Sequence, residues 1–160
     1  MRKMRGFTLV EMLIVIAIIG VLAVAVLSAI NPVEQMRKAR DTRRKSNAAE
    51  LLNAVERYYT TNETYGTAYT VGAGNDCTTA IANQVVAADL ADLTATNELK
   101  AEFVNRIGTA DNYLYSAVDA TSELVLVCFQ IESATNIAKY TGAPNYCTDA
   151  GGDSFVCLPE

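Results

Sequence analysis

An almost unbroken apolar run from Phe7 to Ile30 constrains this chain more than any other stretch. It follows a short basic leader, Met1-Arg2-Lys3-Met4-Arg5, and a single glycine, Gly6. A helix needs roughly 20 apolar residues to cross a bilayer, and the run is long enough. One carboxylate interrupts it near its start, Glu11. An ionised acid in hydrocarbon costs roughly 2.5–3.5 kcal/mol on insertion scales, so Glu11 requires a partner. The leader's cations lie upstream, where their heads stay in the aqueous interface. The economical partner is a positive group from another copy of the chain. An ordinary secretory signal differs, having a 7–15-residue apolar region with its cleavage site behind it. Here Gly6 precedes the run, so a cut there leaves the apolar helix on the mature protein.

Gly6-Phe7-Thr8-Leu9-Val10-Glu11 followed by an apolar helix resembles the class III signal of type IV pilins and of type II secretion pseudopilins. The resemblance covers about the first fifth of the chain. It implies that a prepilin peptidase cuts between Gly6 and Phe7 and that Phe7 is N-methylated. It further implies that Glu11 pairs with the Phe7 amine of a neighbouring subunit in a homo-oligomeric helical filament. The implied fold is α+β and type IV pilin-like. A long N-terminal helix, membrane-embedded in its first half and amphipathic in its second, packs on a small antiparallel sheet.

Four segments follow: a cleaved leader, 1–6; a transmembrane and polymerisation helix, 7–30; an amphipathic helix, 31–60; and a globular αβ-loop and sheet region, 61–160. The 160 residues are 51% hydrophobic, enough for one modest domain beside the anchor. Loss of Arg2, Lys3 and Arg5 takes the formal charge from −5 to −8, which argues against general nucleic-acid binding. With no His and no Trp, the commonest general base and metal ligand is missing, as is a stacking residue. No nucleophile elbow or phosphate loop is present, and pairs such as Asp89/Asp92 have no distinctive spacing, so an enzyme is not expected.

Four cysteines, Cys77, Cys128, Cys147 and Cys157, lack C-x-x-C spacing and read as two disulfides in an exported domain. Three pairings are possible. The Gly-rich segment before Cys157 favours a short Cys147–Cys157 loop, leaving Cys77–Cys128. In the same segment, Asp149 and Asp153 offer oxygen ligands suited to calcium, as in a comparable loop of major pseudopilins. Two aspartates in a Gly-rich segment are more often just a turn, and no cofactor or metal is favoured.

The expected location is a single-pass inner or cytoplasmic membrane protein with its N-terminus in the cytoplasm and its globular part outside. It then joins an extracellular or periplasm-spanning filament. Membrane lipid before assembly and an inner-membrane assembly platform are the expected partners. The positive-inside rule opposes this orientation, because Arg37, Lys38, Arg40, Arg43, Arg44 and Lys45 follow the anchor. The cysteines and the signal outweigh it. The basic run itself suits lipid headgroups, acidic neighbours in a filament or a solvated helix face.

Along the chain, Pro32 should kink or loosen the helix between Ser28 and Pro32. From Val33 to about Tyr59 an amphipathic helix places Ala48, Leu52, Val55 and Tyr59 on one face, with Leu51 and Tyr58 beside them. Asp41 and Lys45 form a favourable i,i+4 pair, as do Glu34 and Lys38. The helix should stop near Thr60-Thr61-Asn62, ahead of a loop from Tyr65 to Asn75. Asn62-Glu63-Thr64 matches a glycosylation sequon. Short helices are expected within Thr78–Leu93 and Asn97–Ile107. Tyr113–Val118 and Leu124–Glu132 read as a hairpin joined by residues 119–123, and Ser154–Leu158 as a last strand. Val125, Val127, Phe129 and Ile131 should cover the long helix, with Cys128 facing away.

The functional expectation is a type IV pilin serving adhesion, motility or DNA uptake. The alternatives are a type II secretion pseudopilin and, further off, a membrane-tethered binding domain or enzyme.

Overall fold

A computed structural model describes residues 6–65, 71–72, 77–109, 112–119 and 124–159. The leader residues 1–5, most of the loop placed at 65–75 and hairpin residues 120–123 lie outside the described residues. The chain divides into two compact units, one ending at Gln35 and one beginning at Met36.

Helix α1 runs from Leu9 to Ala29. It ends where Ile30 turns extended (φ −102°, ψ 126°), two residues before the proline. Helix α2 begins at Pro32 and continues to Asn62. A proline lacks the N–H that the first helical turn leaves unused, so it serves as a first residue where it could not serve as an interior one. Asn31 caps the new helix: its side-chain oxygen accepts from the Glu34 N–H at 3.3 Å, and its carbonyl accepts from Gln35 at 3.2 Å. The expected kink is therefore a full interruption of the helix at Ile30–Asn31.

Side-chain hydroxyls and an amide take up the last carbonyls of α2. Thr60 and Thr61 donate to the Arg57 carbonyl and Asn62 to that of Tyr58. Glu63 then adopts φ +53°, which ends the helix where the sequence placed its stop. The buried face is Asp41, Arg44, Asn47, Ala48, Leu51, Ala54 and Val55. It is rotated from the face read in the sequence: Leu51 is fully buried, whereas Leu52 and Tyr59 are half-buried. Two polar residues and a salt-bridged arginine make up its first turns, and apolar spacing alone is blind to these.

Five strands follow in the order β1-β2-β3-β5-β4: β1 (Val71–Gly72), β2 (Leu114–Asp119), β3 (Val125–Ile131), β4 (Tyr146–Thr148) and β5 (Ser154–Leu158). β1 adds parallel to β2, and the other pairings are antiparallel. The β2–β3 hairpin has Leu114 opposite Phe129 and Val118 opposite Val125. Between α2 and the hairpin lie α3 (Cys77–Ala80), a 3-10 turn (Ala87–Leu90), α4 (Ala91–Ala95) and α5 (Ala101–Ile107). Asn97, at φ +61°, closes α4 and delays α5 to Ala101, later than the periodicity of 97–107 suggested. Helix α6 (Ala134–Tyr140) connects β3 to β4, with Ser133 as its cap.

The period of two along β3 divides the molecule. Val125, Val127, Phe129 and Ile131 face the core built with Ala48, Leu51, Val55, Phe103 and Ile107. Full burial of such side chains stabilises by about 1.5–3 kcal/mol each, which is what seats α2 on the sheet. Leu126 and Cys128 face the opposite way, into a second cluster with Cys77, Ala80, Cys147, Phe155 and Cys157.

The disulfides correct the expected pairing: they are Cys77–Cys147 and Cys128–Cys157. Cys128 and Cys157 are direct partners in the β3–β5 register. Cys147 on β4 stands opposite Phe155, and it joins Cys77 at the start of α3. Loop length favoured Cys147–Cys157, but strand order decided otherwise, because β5 inserts between β3 and β4.

Candidate processing and assembly site

The site begins where regular structure begins. Gly6, Phe7 and Thr8 precede the first helical residue, and Phe7 is 74% exposed. A Cβ added at Gly6 would meet nothing within 4 Å. The described residues therefore leave the Gly6–Phe7 peptide uncovered.

Thr8 is the N-cap of α1, extended at φ −83°, ψ 151°. Its hydroxyl oxygen accepts from the Glu11 N–H at 3.2 Å. Glu11 Oε2 in turn accepts from the Thr8 N–H at 2.8 Å and the Thr8 hydroxyl at 2.7 Å. This reciprocal pair is a capping box, and Thr-x-x-Glu is its sequence signature. It gives Glu11 local donors beside the partner from another copy that its charge requires. The box supplies donors but no positive charge. Among the described residues no basic group reaches Glu11, so two neutral dipoles and the helix N-terminus hold the acid.

Beyond the cap, α1 is apolar all round, and none of its residues is buried within the molecule. Its 21 residues span about 30 Å, matching a bilayer's hydrocarbon thickness. By length and composition it can cross a membrane. Gly20 lies within it without interrupting it.

The basic stretch of α2 divides in two. Arg37 and Arg43 are exposed, whereas Arg40 and Arg44 turn to Glu132 at the end of β3. Arg40 reaches Glu132 Oε2 at 2.6 Å and Arg44 reaches Oε1 at 2.5 Å. Asp41, buried between them, accepts from the Glu132 and Ser133 N–H groups at 2.9 and 3.0 Å, and from the Asn136 side chain at 2.8 Å. Asp41 thus spends its charge on the β3–α6 junction, 91 residues away, where a local i,i+4 contact with Lys45 had been expected. Burial pushes the Asp41 carboxyl up, but the Glu132 amide, Asn136 and Ser133 outweigh it, and the result lies below the ordinary value. Burial likewise raises Glu132, and the Arg40 and Arg44 guanidiniums bring it below its ordinary value. No periodicity could have located this clamp, because its members are far apart in sequence.

Asp149 Oδ1 accepts from the Gly151 N–H at 2.9 Å and the Asp153 N–H at 2.8 Å. The Asp149 N–H and the Asp153 carbonyl close the same loop at 3.0 Å, and Gly152 takes φ +87°. This geometry is a self-bonded Gly-rich turn joining β4 to β5.

Residues 1–27 match the prokaryotic N-terminal methylation motif. They are the class III signal of type IV pilins and pseudopilins. No curated protein and no solved structure matches the chain. The class III signal spans Gly6, Phe7, the Thr8–Glu11 box and most of α1. In general it implies processing by a prepilin peptidase and assembly into a filament, from a membrane-anchored state. The signal is common to type IV pilins and pseudopilins and does not distinguish the two.

Proposed function

We propose that this chain is a structural pilin of a type IV pilus, processed between Gly6 and Phe7, methylated on the Phe7 amine and polymerised through α1. The single observation that carries the reading is the class III signal lying on an apolar helix whose side chains find no burial inside their own molecule. Those side chains are covered first by lipid and then by the α1 helices of other copies. Glu11 exchanges its Thr8 donors for the Phe7 amine of a neighbour. In the low dielectric of a helix bundle that ion pair is strong, and a subunit out of register leaves a charge unpaired, which enforces the stagger. The globular unit stands on the extracytoplasmic side, where both disulfides form and persist. The role is architectural, without catalysis.

A pseudopilin of a type II secretion system is the second reading, since the signal serves both. Against it stands the β4–β5 loop: its Gly151 and Asp153 amides close onto Asp149 Oδ1, so the turn is held by its own hydrogen bonds. Calcium and then a chelator should leave the melting temperature unchanged. A rise of several degrees with calcium would favour the pseudopilin.

Intact-mass analysis of chain co-expressed with a prepilin peptidase tests the main reading. Loss of Met1–Gly6 together with the gain of one methyl group on Phe7 is expected. An intact leader under those conditions would leave α1 as a plain membrane anchor. Electron microscopy of the producing cells then separates a long surface fibre from a short secretion piston.

A further inference from the structure

The cysteines present something besides two crosslinks. The Sγ atoms of Cys77, Cys128 and Cys157 all lie within 4.8 Å of one another, although Cys77 is bonded to neither of the other two. The fourth sulfur, Cys147, is bonded to Cys77. Both bridges therefore stand in one apolar cluster on the sheet face turned away from α2. A cleft of about 220 Å³, lined by Cys77, Leu124, Leu126, Pro144, Asn145 and Cys157 among others, opens beside them. The Cys77–Cys147 bridge is the more accessible of the two, its residues 5% and 9% exposed against 0% and 1% for Cys128 and Cys157, and the cleft meets it at Cys77.

We propose that the four cysteines form a single thiol–disulfide exchange site, entered at Cys77, that interconverts the observed pairs with Cys77–Cys128 and Cys147–Cys157. The co-reactant is a thiolate, from a small thiol or a disulfide oxidoreductase, and it is regenerated. It attacks Cys77 Sγ in line with the bridge, forming a mixed disulfide at Cys77 and releasing Cys147 as a thiolate. Cys147, on the strand next to β5 and diagonal to Cys157, attacks Cys157 Sγ and expels the Cys128 thiolate. Cys128, whose sulfur already lies within 4.8 Å of that of Cys77, attacks the mixed disulfide at Cys77 and expels the original thiolate. Two S–S bonds stand at the start and two at the end, and no net oxidation or reduction occurs.

The exchange moves a clasp. In the observed state α3 is tied to the edge strand β4, and β3 to β5. In the exchanged state α3 is tied to β3, and the β4–β5 turn is closed on itself. Short loop closure favours the exchanged pair and strand register favours the observed one. A wrongly paired chain thus has a local route to the native pairing that needs no unfolding of the α2 face. The proposal holds whichever fibre the chain builds.

The test uses the full chain in detergent, incubated anaerobically with substoichiometric reduced glutathione, then acid-quenched, alkylated and mapped by mass spectrometry without reduction. Linked peptides for Cys77–Cys128 and Cys147–Cys157 should appear only with glutathione, with no rise in free thiol beyond the glutathione added. Linked peptides confined to the observed pairs, or loss of those pairs to free thiols alone, would overturn it.

Discussion

Thr8 and Glu11 meet two requirements with the same atoms. Before assembly their capping box starts α1 and gives a membrane acid two donors. In the proposed filament the acid needs a charge that Thr8 cannot supply. Glu11→Ala is therefore expected to abolish or misregister fibres, with the thermal unfolding of the globular unit unchanged, and fibre yield beside a melting curve checks both halves. Thr8→Val removes the hydroxyl from the box and should cost α1 about 1 kcal/mol of cap stability. Asp41 and Glu132 set a different residue-scale expectation. Both carboxyls lie below their ordinary values in the folded chain. The stability they contribute is complete above the ordinary carboxylate range, about pH 4, and is lost as pH falls through the lowered folded values. Asp41→Ala should flatten that acid limb and, by leaving the Glu132 and Ser133 amides without their acceptor, destabilise by about 3 kcal/mol at pH 7. Denaturant unfolding at several pH values measures both.

Among the elements, α2 is where charge and packing share one helix. Its N-terminal half holds the β3–α6 junction through Arg40, Asp41 and Arg44, and its C-terminal half supplies Ala48, Leu51 and Val55 to the core. Leu51→Ala should cost about 2–5 kcal/mol, the range for a fully buried leucine, whereas Leu52→Ala on the half-buried flank should cost clearly less. Urea titrations of the two variants rank the faces directly. If the order were reversed, the rotation of the buried face reported above would be wrong. The same helix explains why the basic run was ambiguous in sequence. Arginines stand there at positions 37, 40, 43 and 44, and only the location of Glu132 selects which of them turn inward.

Over the whole molecule, the two compact units differ in what they bury. Nothing in α1 is buried by its own chain, while the unit from Met36 onward contains both cores and both disulfides. A chain starting at Met36 should therefore be soluble, keep both disulfides and unfold cooperatively. Size-exclusion chromatography and a melting curve compared with the detergent-solubilised full chain check this. Much of the plan was legible beforehand, because its signals are local: an apolar run of membrane length, a proline after an asparagine, and alternation along Val125–Ile131. The Thr8–Glu11 box was equally local and equally legible, yet was passed over. What the chain order could not carry is whatever depends on which strands become neighbours. Insertion of β5 between β3 and β4 sets Cys157 opposite Cys128 and leaves Cys147 to Cys77, and the seating of β3 on α2 brings Glu132 to Arg40 and Arg44. Apolar periodicity is written into adjacent residues. Partners 29 to 92 positions apart are chosen only when the sheet closes.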